Sequence, residues 1–339
     1  MKKNYLGHFP ASRLRRGRQS DWIRNLLSEH ALSIDDLIWP IFICEGKNKK
    51  DEISSMPGVY RYSIDNLEQV IKEAEELKIN LIALFPYTSS EKKTDDAKEA
   101  TNPDNLVCQA LSKIKSQKVN FGVMCDVALD PYTSHGHDGL INDQGIVLND
   151  ETNIKLIKQA LLLSQCGADI IAPSDMMDGR IGLIREELEN NNFKDVLILS
   201  YAAKYASKMY GPFRDAVGSS SNLQSDKKSY QMNVANSNEA LREVAMDIQE
   251  GADIVMVKPG ISYLDIIYRV KNEFNFPTFA YQVSGEYSMI KSATERGLIN
   301  EEEVVMEQLI SFKRAGADAI LSYFAIEIAK IIRSRNQSF

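Results

Sequence analysis

Cys166-Gly167-Ala168-Asp169-Ile170-Ile171, Glu250-Gly251-Ala252-Asp253-Ile254-Val255 and Ala315-Gly316-Ala317-Asp318-Ala319-Ile320 repeat one junction three times. In each, a helix-period segment stops at a glycine and an apolar run starts two or three residues later. Glycine takes the left-handed conformation that closes a helix, so the pattern reads as a recurrent helix-to-strand turn. Outward from these junctions, short apolar runs at 37–43, 80–85, 120–129, 168–173, 196–201, 252–257, 278–283 and 317–323 read as strands. Helical stretches such as 64–77, 103–116, 150–165, 239–249 and 301–314 lie between them. Eight strands with intervening helices predict an α/β fold, a (β/α)8 TIM barrel. The alternative, a doubly wound sheet, lacks its signature: no Gly-x-Gly-x-x-Gly follows any strand.

Composition narrows the function. The 339 residues fit one large α/β barrel or two smaller domains, and a net charge of −7 argues against a nucleic-acid binder. No apolar run approaches the ~20 residues that span a bilayer, and the first ten residues have no signal-peptide core. A cytoplasmic location is therefore expected, with no membrane partner. Cys44, Cys108, Cys125 and Cys166 are scattered, the usage of free thiols in a reducing compartment.

Two segments exceed a minimal barrel, which is taken as residues 35–339. Residues 1–34 form a leader with a basic stretch, Arg13-Leu-Arg15-Arg16-Gly-Arg18, and a helix-like 20–28. Its Trp22, Ile23, Leu26 and Leu27 offer apolar surface to bury, and another subunit would bury it; a solvated tail is the bland alternative. Residues 211–237 lack periodicity. A long structureless stretch inside a compact domain reads as an active-site lid, the more so as it follows Lys204 closely.

Two lysines end strand-like runs: Lys204 in Val196-Leu-Ile-Leu-Ser-Tyr-Ala-Ala-Lys204, and Lys258 in Asp253-Ile-Val-Met-Val-Lys258. A strand end at the rim of a barrel is partly desolvated, which disfavours the ammonium. A lysine at its ordinary pKa of about 10.4 is a free amine in only about one molecule in 2,500 at pH 7. Only the free amine attacks a ketone to form a Schiff base, so two such lysines point to two carbonyl substrates or to one handled twice. For either lysine alone, a salt bridge is the commoner fate.

After the third strand, three carboxylates (Asp126, Asp130, Asp138) and two histidines (His135, His137) crowd into 13 residues of sequence. No histidine follows His137, so a zinc site held by this loop alone is not expected, and the two histidines read as solvated loop polars. In the lid, Arg214, Lys227, Lys228 and Gln231 are donors suited to a substrate carboxylate. Ser284 and Tyr323, ending the seventh and eighth strands, offer a hydroxyl pair for a second one. Each of these also has an ordinary reading as a surface charge or a backbone-bonded strand end. Glu239 and Glu243 lie one turn apart on a helix, and nothing local singles out Glu243.

With Met256-Val-Lys258-Pro-Gly, Tyr210-Gly-Pro-Phe-Arg214, Ser229-Tyr-Gln231-Met, Tyr281-Gln-Val-Ser284-Gly-Glu-Tyr and Asp130-Pro-Tyr-Thr-Ser-His-Gly-His assembled, the chain resembles the porphobilinogen synthase (5-aminolevulinate dehydratase) family over nearly its whole length. The resemblance implies a lyase that condenses two 5-aminolevulinate molecules into a pyrrole, an early step of tetrapyrrole synthesis. Lys258 would hold the first-bound, propionate-side molecule and Lys204 the second. Ser284 and Tyr323 would hold one carboxylate; Arg214, Lys228 and Gln231 the other. Zinc-dependent members carry cysteines where this chain has Ala128, Asp130 and Asp138, so the zinc-independent, magnesium-responsive type is implied. Asp126, Asp130 and Asp138 would then orient the substrate amine or shuttle protons. Glu243 would bind Mg2+ largely through water, supporting a homo-octamer clasped by the N-terminal arm.

A class I aldolase is the enzymatic rival, since it too is a Schiff-base barrel. It needs one lysine and usually a phosphate-binding turn, whereas Ser284-Gly-Glu places an acid where the phosphate would sit. A barrel kept as a scaffold, with both lysines in salt bridges, is the non-enzymatic rival.

Overall fold

The computed structural model describes residues 7–218 and 226–337; residues 1–6 of the expected arm and 219–225 of the expected lid lie outside the described residues. Ten strands form one sheet: β1 (Leu37–Cys44), β2 (Lys50–Glu52), β3 (Tyr60–Ser63), β4 (Leu81–Tyr87), β5 (Gly122–Val127), β6 (Ile170–Pro173), β7 (Leu197–Lys204), β8 (Ile254–Lys258), β9 (Thr278–Gln282) and β10 (Ala319–Ser322). Eight of them, β1 and β4 to β10, are parallel, and β10 pairs back onto β1 to close a barrel. These eight are the runs expected from the sequence. The antiparallel pair β2–β3 is an addition, with β3 lying parallel to the last residues of β1 at the barrel mouth. Its β2, Lys50-Asp-Glu52, is exposed and polar, so hydrophobic periodicity has nothing to register there.

The helices are α1 (Asp21–Leu26), α2 (Leu67–Leu77), α3 (Leu106–Lys115), α4 (Asn149–Gln165), α5 (Arg180–Asn190), α6 (Gly211–Ala216), α7 (Asn238–Gln249), α8 (Leu264–Phe274), α9 (Ser284–Glu295), α10 (Glu301–Ala315) and α11 (Ala325–Gln337). From α2 onward, most fill the crossovers between barrel strands, as parallel pairing requires.

The repeated junction has a physical cause at each residue. Gly167, Gly251 and Gly316 all take positive φ, 103°, 106° and 105°. The aspartate two residues later then turns its carboxylate onto the preceding strand: Asp169 accepts from Val123 N, Asp253 from Ile198 N and Asp318 from Thr278 N. A cation from the neighbouring helix segment, Lys115, Arg185 or Lys271, pairs with that carboxylate. Its aliphatic stem lies over the glycine, where a Cβ would meet it. Helix stop, strand start and inter-strand registration are thus written in one tripeptide.

Two expectations are corrected here. The segment after Lys204 is not structureless at its start: Gly211–Ala216 is a helix with Pro212 in its first turn, a position where a missing N–H costs nothing. The helix-like 20–28 reduces to the six residues of α1, on which Trp22 and Leu26 stand 68% and 73% exposed.

Candidate active site

Lys204 and Lys258 are paired residues on adjacent strands, the last of β7 and of β8. A bulge sets this pairing. Ser200 pairs with Val255 but Ala203 with Val257, so β7 carries one extra residue. Ser200 faces the helix layer, where its hydroxyl donates to Asp247 on α7 and accepts from Arg180 on α5. Side chains alternate along a regular strand, so Lys204, four residues on, would also face outward. The extra residue reverses the parity, and Lys204 enters the lumen beside Lys258.

Lys258 is buried in an aromatic box. The rings of Tyr281, Tyr201, Phe213 and Tyr210 lie 4.4, 5.0, 5.0 and 5.4 Å from its Nζ. Burial chiefly, and then the Lys204 ammonium, push its pKa down from 10.5 to about 7, against the pull of Asp126, Asp130 and Asp138. Asp126, half-buried beside the lysines, moves the other way. Burial raises it to about 6, with Lys258 and Lys204 opposing. An amine and an acid that both titrate near neutrality thus share one pocket.

Lys204 sits in a polar setting instead. Its Nζ donates to Asp138 Oδ1 at 3.1 Å and to the Ser174 carbonyl. Asp138 Oδ2 pairs with Lys227 at 2.6 Å and accepts from the Tyr230 hydroxyl at 2.8 Å; Lys227 also reaches Asp130 at 3.2 Å. Burial alone would raise the Asp138 carboxyl, but Lys204 and Lys227 outweigh it and hold it well below the carboxylate range. The sequence grouped Lys227 with the carboxylate binders; it is instead an internal counter-ion. The reading of His135 and His137 as solvated is also corrected: both are 2% exposed. His135 lies 3.3 Å from the Asp95 carbonyl, and His137 Nδ1 lies 3.2 Å from the Tyr230 hydroxyl. Burial lowers both imidazole pKa values, so the rings are neutral hydrogen-bonding groups behind Asp138.

Arg214, Lys228 and Gln231 line one cavity of about 270 Å³ at the mouth, joined by Lys208. Arg214 comes from α6, which also supplies Phe213 to the aromatic box. Ser284 begins α9; its Oγ accepts from Phe213 N at 2.9 Å. Tyr323 reaches the Tyr281 hydroxyl at 2.7 Å, one ring from Lys258. Glu243 stands apart on α7, half-buried, in a cavity of about 650 Å³ that it shares with Glu239, Asp178, Asn149 and lid residues. Burial first, then Asp247, raise its pKa, with Arg180 opposing. Among the described residues no group of three or more His, Cys, Asp or Glu is placed to hold a metal ion. The Glu243 carboxylate, in a roomy polar cavity with Glu239 and Asp178 but without a converged ligand set, fits an ion that keeps most of its water, as Mg2+ does.

The aromatic box was not anticipated from the sequence. Tyr201 and Tyr281 lie in the expected strands, but only the barrel's closure turns both toward Lys258. Tyr230 gave no signal either, since its partner Asp138 lies 92 residues away.

The chain that carries this arrangement, two lumenal lysines with one depressed, acids on both sides and a cationic mouth, has relatives among known proteins. The family model described as delta-aminolevulinic acid dehydratase matches residues 11–331. The chain is 55% identical to the delta-aminolevulinic acid dehydratase of Bradyrhizobium diazoefficiens, over 96% of this chain and 92% of that one. It is 52% identical to that of Rhodobacter capsulatus, over 96% and 97%. The crystal structure of the Toxoplasma gondii enzyme in complex with the reaction product porphobilinogen superposes with a TM-score of 0.94 at 44% identity, covering 97% of this chain and 94% of that one. The chain belongs to the delta-aminolevulinic acid dehydratase family.

Proposed function

We propose that Lys258 and Lys204 each form an imine with one of two 5-aminolevulinate molecules, and that the chain condenses these into porphobilinogen with release of two waters. The observation that carries this reading is the in-register lysine pair, with Lys258 depressed to about 7 inside its aromatic box. At neutral pH about half of Lys258 is the free amine. Its nitrogen lone pair attacks the ketone carbon, and the carbonyl oxygen leaves as water once protonated. Asp126, titrating near 6, is the group suited to move that proton. Lys204 takes the second ketone, its Nζ positioned by Asp138, which Lys227 anchors in turn. Arg214, Lys228 and Gln231 hold one substrate carboxylate; Ser284 and Tyr323 hold the other by neutral hydrogen bonds. Holding both molecules in register supplies much of the acceleration. No observation favours the aldolase: one lysine would suffice for it, and here a second is built in beside the first.

Mg2+ belongs at Glu243, bound largely through water, where it neutralises the acidic start of α7 and takes no part in bond making. No catalytic zinc is required, because Asp130 and Asp138 are already engaged by lysines. The active assembly is a homo-octamer in which residues 1–34 clasp a neighbour. The exposure of Phe9, Leu14, Trp22 and Leu26 supports this, as such a run of apolar side chains favours burial. Among the described residues no helix is long and apolar enough to cross a membrane; the enzyme works in the cytoplasm.

Pyrrole formation from 5-aminolevulinate, with EDTA and then with added Mg2+ or Zn2+, tests the reading. Colour that survives EDTA or rises with Mg2+ is expected. Activity restored by zinc alone would overturn the metal assignment, and no pyrrole from folded protein would overturn the function.

A further inference from the structure

Glu286 is a buried carboxylate that the chemistry above does not use. It stands at the third position of α9, 6% exposed, with no ion pair among the described residues. Its acceptors are spent on main chain. Oε1 accepts from Ile261 N and Oε2 from Val283 N, each at 2.7 Å, and the N–H groups of Gly260 and Ser262 also bond to it. Three of these four donors belong to the turn directly after Lys258; the fourth directly precedes Ser284. Burial pushes the Glu286 carboxyl up to about 7, and the four donors pull against that rise.

We propose that Glu286 is a positioning residue, a built-in acceptor whose carboxyl group staples the Lys258 turn to the start of α9 and so fixes the lysine relative to Ser284. Both sides of the staple are built for close approach. A Cβ at Gly260 would lie 2.3 Å from Phe312 and 2.9 Å from the Tyr281 carbonyl; one at Gly285 would lie 2.5 Å from the Met209 carbonyl. The Lys258 carbonyl is gripped from the opposite side by Tyr205 N at 2.9 Å and by the Tyr210 hydroxyl at 3.1 Å. The lysine's backbone is therefore clamped between β7 and α9. Without the carboxylate, four inward N–H groups lose their acceptor, and the turn must move to recover partners.

The inference rests on imine formation at Lys258, so the test uses full-length enzyme and first confirms that the native protein gives a borohydride-trapped adduct there. Lack of that adduct would sink the functional reading itself. Given the adduct, Glu286→Gln, which keeps the shape but turns an N–H2 toward N–H donors, is expected to lower kcat 10- to 100-fold with KM within about threefold, as for a lysine displaced by about 1 Å. Glu286→Ala is expected to fall further and to regain activity saturably with added formate, which leaves native enzyme and Glu286→Gln unchanged. Native-like kcat in Glu286→Gln overturns the proposal. So does Glu286→Ala that folds, is impaired and ignores formate. If Glu286→Ala does not fold, the kcat and KM of Glu286→Gln decide.

Discussion

Removing the Phe213 ring opens the box around Lys258 from the lid side. The fall of that lysine from 10.5 to about 7 corresponds to roughly 5 kcal/mol against the ammonium. Two effects of the ring oppose each other. Its face, 5.0 Å from Nζ, attracts the cation by about 0.5–2 kcal/mol, whereas its bulk keeps water away. Burial is the largest cause of the depression, so the loss of cover should win. In Phe213→Ala the pKa should climb about one unit, and the free amine at pH 7 should drop from about half to about a tenth. The ring also packs against Phe42 and Phe85 at 5.8 and 5.3 Å, so a stability loss of about 3 kcal/mol is expected, and the assay belongs well below the melting temperature. The assay is the initial rate of borohydride trapping on Lys258 from pH 5.5 to 10, mapped by peptide mass. A native half-point above 9 would refute the depressed amine. A variant half-point at or below 7 would show that the ring's face, not its cover, governs the lysine.

Lys258→Met should abolish pyrrole formation yet stabilise the fold in acid. The folded pKa lies below the unfolded one, so native enzyme gains stability as pH rises from about 7 to 10.5; the variant's advantage in melting temperature should be largest below pH 7 and fade across that window. Lys228→Ala removes an exposed cation from the mouth cavity and should raise KM about 10-fold with kcat changed less than threefold, measured by steady-state kinetics. Glu243→Gln should erase stimulation by added Mg2+ while leaving the EDTA-treated rate within about twofold of native enzyme.

The barrel was legible because its information is local. Gly167 and Asp169 do their work within one junction and leave the same imprint at 250–253 and 315–318. The lysines were legible for the same reason, each ending an apolar run. What surrounds them was not. Lys227 and Lys228 are neighbours of the same type, yet one is buried between Asp130 and Asp138 and the other lies exposed beside Asp226. Only the fold of the lid decides which is which. His135 and His137 looked solvated because the loop that carries them is polar; burial comes from Asp95 and Tyr230, distant in sequence.

The bulge in β7 means that the position of the second amine is stored as a count and not as a residue type. Adding or removing one residue between Ser200 and Lys204 while the bulge persists would reverse the parity and swing the lysine out of the lumen, toward the face that carries Ser200. Seven of the eight β7 residues are buried, so an inward and an outward lysine would be hidden from solvent alike. The strand's composition and hydropathy would hardly change. With the bulge in place, whether that stretch holds an odd or an even number of residues decides if the amine faces the substrate or the helix layer.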